Sequence, residues 1–151
     1  MEPSFEERIN AVDWPAYATA YGRANDVPSL LLALASSDHK AAMVASHKLW
    51  CGLCHQHAYL SSAALPAYPF ILEVLRSANE QLTVEILDIF TGFAFRSTLG
   101  PDGPSPNEWG RELREKLRDQ LPLFRSLSKH SNDDIAQFAG SIVANLSEFP
   151  Q

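Results

Sequence analysis

The chain has 151 residues, 46% of them hydrophobic and 20% charged, a balance that excludes wholesale disorder. A domain of this length removes about 70% of its unfolded surface from water, enough for one sizeable core without staples. Eighteen Asp and Glu against twelve Lys and Arg give a net charge of −6, which argues against nucleic acid, whose phosphates are held by clustered basic side chains, and permits a basic protein partner.

Taken in order, the opening MEPSFEERIN puts acids where a secretory signal would carry lysines ahead of an apolar run. The expected location is therefore the cytoplasm. Ser4 with Glu7 forms a capping box that predicts a short helix from Phe5 to about Val12. Asp13, with Trp14 and Pro15 behind it, predicts a second short helix ended by Gly22. Asp26 before Val27 and Pro28 opens a helix whose leucines run through Leu34. His39 to Cys54 reads as one helix buried along Ala42, Leu49, Trp50 and Leu53. From about Ala58 to Ser77 comes another with Pro66 and Pro69 inside it, bent or split near Pro66, because an interior proline removes a hydrogen bond and crowds the preceding turn.

Glu80 to Arg96 is the most apolar helical run. Leu82, Ile86, Ile89, Phe90 and Phe93 make one stripe and Val84, Leu87 and Phe95 a second, leaving Gln81, Glu85, Asp88 and Arg96 as a narrow polar band. Such a helix must be covered on two flanks, yet no stretch reaches the ~20 apolar residues of a membrane span. The glycines and prolines of GPDGPSPN predict a loop over 99–107. Glu108 to Lys129 reads as helical with Pro122 inside, and its alternation of Arg111 to Arg118 with Glu112, Glu115 and Asp119 reads as a solvated face. Ser131, Asn132 and Asp134 start a last helix striped by Ile135, Ala139, Ile142, Val143 and Leu146. No segment alternates convincingly with period two, so the fold class read from the sequence is all-α.

Three segments, VPSLLLALASSDH, YPFILEVLRSANE and LPLFRSLSKHSND, each place a proline near the start of an apolar helix, a polar turn, and then a second helix. Helix pairs recurring at roughly 40–50 residues are the mark of HEAT and armadillo arrays. The chain resembles a small bacterial HEAT-repeat protein. Gly22 to Leu34, His55-Gln56, Ala63-Ala64 and Pro69-Phe70 through Leu75 carry the likeness, although Ala42, Thr83 and Ala136 stand where such repeats usually have an arginine. The resemblance implies a short right-handed α-solenoid of about three hairpins, 27–54, 58–97 and 108–148, capped by the N-terminal helix through Phe5, Ile9 and Trp14. At the other end, Phe138 and Phe149 are candidates to close the array or to support a dimer. It also implies protein binding on the face lined by second helices, no reaction and no cofactor. Some small proteins of this kind act as immunity proteins against bacterial toxins.

The segment WCGLCHQH is where metal or redox chemistry would be sought. Cys51, Cys54 and His55 fit a haem-attachment pattern, and Trp50 to Cys54 a thioredoxin-like one. Neither has its context: haem attachment needs export, and the redox motif needs a strand before it and a helix N-terminus beneath it. Cys51, Cys54, His55 and His57 offer four potential zinc ligands, but structural zinc sites usually tie separate segments together. Buried cysteines and turn histidines are the expected outcome, with no metal. Glu85 and Asp88, at i and i+3, read as a solvated or partner-facing ridge. His39 and His47 read as exposed helix positions.

The functional expectation is a non-catalytic protein-binding module, in particular an immunity protein that neutralises a basic toxin. Lys48, Gln56, Glu85, Asp88 and Arg96 are the expected partner-facing polar residues, and Trp109 the aromatic anchor. The alternatives are a scaffold or subunit of a complex, and a metal-binding helical domain built on the Cys and His cluster.

Overall fold

The computed structural model describes residues 2–57, 59–97 and 108–148. Within them the chain forms eight α-helices: α1 (Phe5–Asn10), α2 (Val27–Leu34), α3 (His39–Leu53), α4 (Ala64–Leu75), α5 (Glu80–Arg96), α6 (Glu108–Asp119), α7 (Leu121–Leu127) and α8 (Asp133–Glu148). Two 3-10 turns, Trp14–Ala16 and His55–His57, and a hairpin of β1 (Ala18–Thr19) and β2 (Gly22–Arg23) complete it. The fold is all-α apart from that hairpin. The loop expected over 99–107 lies outside the described residues, as does Phe149.

Capping signals legible in the sequence set half of the helix starts. Ser4 Oγ accepts from the Glu7 N–H at 3.1 Å, Asp38 Oδ1 from Ala41 at 3.2 Å, and Asn79 Oδ1 from Leu82 at 2.9 Å. Asn132 Oδ1 takes both the Asp134 and Ile135 N–H groups. Each satisfies donors that the first helical turn leaves without intrahelical partners. Pro66 falls in the first turn of α4, where a missing N–H does no harm, so the helix begins there.

At the centre lies α5, packed between α3 on one side and α8 on the other, with α4 and α6 also against it. Leu82, Ile86, Ile89, Phe90 and Phe93 are all buried, and so is Leu87. Fully burying a side chain of this size contributes about 1.5–3 kcal/mol. Phe90 is the aromatic hub, with Tyr68, Phe93 and Phe124 around it at ring-centre distances of 5.1, 5.8 and 6.1 Å. Ile135, Ala139, Ile142 and Leu146 bring the buried face of α8 to it, with Val143 half-buried at its edge. At the N-terminal end, Ile9 and Trp14 are buried, and Phe5 and Trp14 pack on the Phe70 ring of α4.

One contact recurs between successive helix pairs. Asn79, the N-cap of α5, reaches back with its Nδ2 to Nδ1 of His39, the first residue of α3, at 3.1 Å. Asn132, ahead of α8, reaches back in the same way to Oε1 of Glu80, the first residue of α5, at 3.0 Å. In both cases one amide caps its own helix with oxygen and ties the previous one with nitrogen.

Four expectations are corrected. Residues 13–22 are not a helix: Pro15 sits in a single 3-10 turn, after which the chain runs extended through Tyr17 and Thr19, with Gly22 at φ +125° in the hairpin. Glu108 to Lys129 is two helices, because Pro122 takes the first turn of a new one after a break at Gln120. Phe95 is 44% exposed and belongs to no buried stripe. The basic stretch of α6 is not wholly solvated, since Arg114 is buried and donates from Nη1 to Ala94 O (2.9 Å) and Asn145 Oδ1 (3.0 Å), and from Nη2 to Asn145 O (2.9 Å). It ties the ends of α5 and α8 together.

Candidate functional site

The end of α3 has no glycine cap, and its last carbonyls are taken by other segments. Gly52 O accepts from Ala20 N–H of the hairpin at 2.8 Å, and Leu53 O from Ser61 N–H at 2.8 Å. The hairpin is fixed on its other side by Ala18, whose N–H donates to Ser62 Oγ (2.9 Å) and whose O accepts from Ala63 N–H (3.0 Å). These bonds place the hairpin tip over the α3–α4 connection.

That connection is strained. His55 and His57 stand at φ +39° and +69°, a left-handed region that non-glycine residues enter at some energetic cost. Packing holds them there. His57 Nε2 lies 2.8 Å from both Asp88 Oδ1 and Asp88 O, two acceptors, so Nε2 carries the proton and donates to both. Gly92 of α5 makes the room: a Cβ at that position would lie 2.8 Å from Cys54 Sγ and 2.8 Å from His57 Cδ2. Cys54 is buried against α5, its Sγ 3.3 Å from Trp50 O and 3.9 Å from Ile89 O, and desolvation pushes its thiol up to about 12.

Above this turn lies a ridge of rings. His55 stacks on Tyr59 at 4.9 Å and meets Tyr21 of the hairpin edge-on at 6.0 Å, with Tyr21 70% and Tyr59 45% exposed. The Tyr21 phenol is held above its ordinary value by desolvation, then by the neighbouring Cys51 thiol and Tyr59. Two nitrogens beneath, Trp50 Nε1 and His55 Nδ1, are buried without a hydrogen-bond partner, a condition folded proteins usually avoid.

No protein-family model matches this chain, and comparison with curated proteins and with solved structures gives no significant similarity.

Beside the ridge opens a cleft of about 350 Å³ between the hairpin, α2 and α3. Val27, Leu30, Leu49 and Leu53 form its apolar floor, and Tyr21, Asp26, His47, Lys48 and Cys51 bring polar groups to its walls. Cys51 is half-buried, and its Sγ lies 3.7 Å from His47 Nε2 one helical turn earlier.

The four potential zinc ligands of the WCGLCHQH segment do not converge. Cys51 pairs with His47 and Cys54 faces α5, while His55 lies among tyrosines and His57 is bound to Asp88. Among the described residues no three His, Cys, Asp or Glu side chains are placed to hold a metal ion. Cys54 already caps the end of α3, and the left-handed backbone at His55 and His57 turns each following side chain in its own direction.

Of the residues expected to meet a partner, Glu85 and Asp88 come together. Both are half-buried on α5, and Glu85 is raised from its ordinary value by desolvation and then by Asp88, with His47 of α3 opposing. Asp88 is engaged by His57 rather than presented to solvent. Lys48 is exposed on the opposite flank of α3, toward Leu30 of α2, and so does not join them. Arg96 is exposed in the last turn of α5, and Trp109 is half-buried in the first turn of α6. Gln56 falls within the His55–His57 turn, its side chain outside the description. Sequence reasoning missed Tyr21, Tyr59 and the cleft. The signal lay in Tyr17, Thr19 and Tyr21, which alternate with alanines immediately before Gly22.

Proposed function

We propose that this chain is a short right-handed α-solenoid of about three hairpins, capped by α1, that works in the cytoplasm as a non-catalytic protein-binding module. The matching Asn79–His39 and Asn132–Glu80 ties support the repeat: a stacked array reuses one junction between successive units. The order in which α3, α5 and α8 pack supports it too.

The observation that carries the binding role is the Tyr21–His55–Tyr59 ridge, exposed aromatic surface held rigidly over a strained turn. Tyrosines presented in this way give large contact area with little conformational entropy to lose, which is why they recur as anchors in interfaces. Lys48, Gln56, Glu85 and Arg96 would steer the encounter and set specificity, with Trp109 as a further anchor, while Asp88 would hold the turn under the ridge through His57. The specific role is inhibition of a bacterial toxin, as the resemblance to small bacterial HEAT-repeat proteins implies. The net charge of −6 favours a basic toxin domain.

Affinity purification from the native host tests this with the wild-type chain and a Tyr21→Ser/Tyr59→Ser variant. One stoichiometric protein partner, retained at least about tenfold less by the variant, is the expected result, since ridge anchors of this kind are worth upwards of about 1.4 kcal/mol. Equal recovery by both, or no partner with the wild type, overturns it. A scaffold or complex-subunit role shares the same surface, and growth rescue on co-expression with the partner separates inhibition from scaffolding.

A further inference from the structure

The cleft between the hairpin, α2 and α3 brings together a nucleophile, a base and two opposite charges, of which the partner-binding role uses Lys48 but neither Cys51, His47 nor Asp26. Cys51 Sγ lies 3.7 Å from His47 Nε2, and Tyr21, Lys48 and Asp26 share its walls. Its volume of about 350 Å³ is at the lower end of what holds a small molecule, about 300–1,000 Å³. Cys51 sits in the last turn of α3, where the helix dipole does not favour a thiolate. Any activation must therefore come from side chains around it.

We propose that Cys51 is a thiolation site for amino-acid-type thiols: it exchanges with their low-molecular-weight disulfides, His47 taking the thiol proton, Lys48 holding a carboxylate and Asp26 an ammonium group. The proton of Cys51 passes to His47 Nε2, and the thiolate attacks one sulfur of the disulfide. A bond forms between Cys51 Sγ and that sulfur as the S–S bond breaks. The departing thiolate carries off the electron pair and takes up a proton, leaving a mixed disulfide in the cleft. The Tyr21 hydroxyl donates to the developing thiolate, in keeping with its coupling to Cys51. Cys54 stays out of the reaction because it is buried against α5, with its thiol held protonated.

The groups facing His47 and Cys51 are known from each side: Glu85 from α5, Tyr21 from the hairpin, Asp26 from α2, and Trp50 and Lys48 from α3 itself. The His47 ring itself lies within reach of the Cys51 sulfur to take its proton, one helical turn away at 3.7 Å.

The test follows adduct formation by intact-mass spectrometry with two probes, oxidised glutathione and the uncharged 2-hydroxyethyl disulfide. The expected result is one glutathionyl group per chain, on Cys51, and none in Cys51→Ser. Lys48→Glu should slow glutathionylation about fivefold, the scale of one partly exposed ion pair, and leave the hydroxyethyl rate unchanged. His47→Gln should slow both probes and remove a step from the pH–rate profile. Modification of Cys54 overturns the proposal. So does a glutathione-to-hydroxyethyl rate ratio equal to that of the urea-unfolded chain, which would mean that the cleft recognises nothing.

Discussion

Gly92 and Cys54 meet with no space for a methyl group between them: a Cβ on Gly92 would come within 2.8 Å of the Cys54 sulfur and 3.0 Å of its Cβ, and equally within 2.8 Å of the His57 ring. Helix α5 therefore accepts glycine in its interior so that the α3–α4 connection can lie against it. Gly92→Ala should gain up to about 1 kcal/mol of helix propensity and lose more, because pushing His57 aside also breaks its bond to Asp88. Overpacking of this kind costs about 1–3 kcal/mol. Gly140 of α8 is the control, since a Cβ there meets nothing within 4 Å. Urea denaturation should show Gly92→Ala destabilised and Gly140→Ala stabilised, and a gain in both would mean that the turn is not docked on α5.

A second prediction concerns Arg114. Its guanidinium is lowered to about 10 by desolvation and then by the charge of Arg118. The folded state therefore binds that proton less tightly than the unfolded chain, and the charge disfavours folding at neutral pH. The hydrogen bonds to Ala94 O, Asn145 O and Asn145 Oδ1 offset this. Arg114→Met removes the charge but strands those acceptors, a loss of about 3 kcal/mol or more. Arg114→Lys should recover only part of it, because one ammonium cannot copy the planar fork. Chemical melts of both variants check the order.

Local rules made most of this fold readable. Ser4, Asp38, Asn79 and Asn132 each announce a helix start, and the α5 stripe names the buried face before any neighbour is known. What stayed hidden depends on partners far away in the chain. Pro122 could have sat inside a kinked helix, and only the packing of α6 against α4 makes it the start of a separate one. Arg114 looked like one charge among several until the ends of α5 and α8 enclosed it. The cleft was illegible for the same reason, since it requires residues 19–30 and 47–53 to be adjacent, and the alternation of Tyr17, Thr19 and Tyr21 with alanines marks an extended stretch without saying where it docks. Glu85 and Asp88 were correctly placed on one face, but nothing in their spacing pointed to His57.

The recurring asparagines give a third prediction. Asn79→Ala and Asn132→Ala each lose an N-cap and should cost about 1 kcal/mol. Aspartate keeps the capping oxygen and lacks the donor that reaches the previous helix, so it isolates the tie. Asn79→Asp faces His39 and should be nearly neutral. Asn132→Asp faces the Glu80 carboxylate and should be destabilised by up to about 1 kcal/mol through like-charge repulsion, less in high salt. A difference between the two aspartate variants that vanishes with added salt is the expected signature in thermal melts.

The last prediction is a pH dependence. Glu85 is raised above its ordinary value by desolvation, with the Asp88 carboxylate adding to it and His47 opposing. The folded state thus holds the Glu85 proton more tightly than the unfolded chain does. This contribution to stability is present in acid, below the ordinary carboxylate range, and is lost as pH rises through the raised folded value. Glu85→Gln keeps the shape and removes the charge, so it should stabilise the chain at neutral pH. The gain should stay under about 1 kcal/mol because water screens this part-exposed site. It should shrink toward zero as the pH falls through the carboxylate range, where wild-type Glu85 is itself neutral. Melting temperatures of the two proteins against pH should therefore diverge on the neutral side and meet on the acid side; parallel curves would mean that Glu85 is neither desolvated nor pressed by Asp88 in the folded chain.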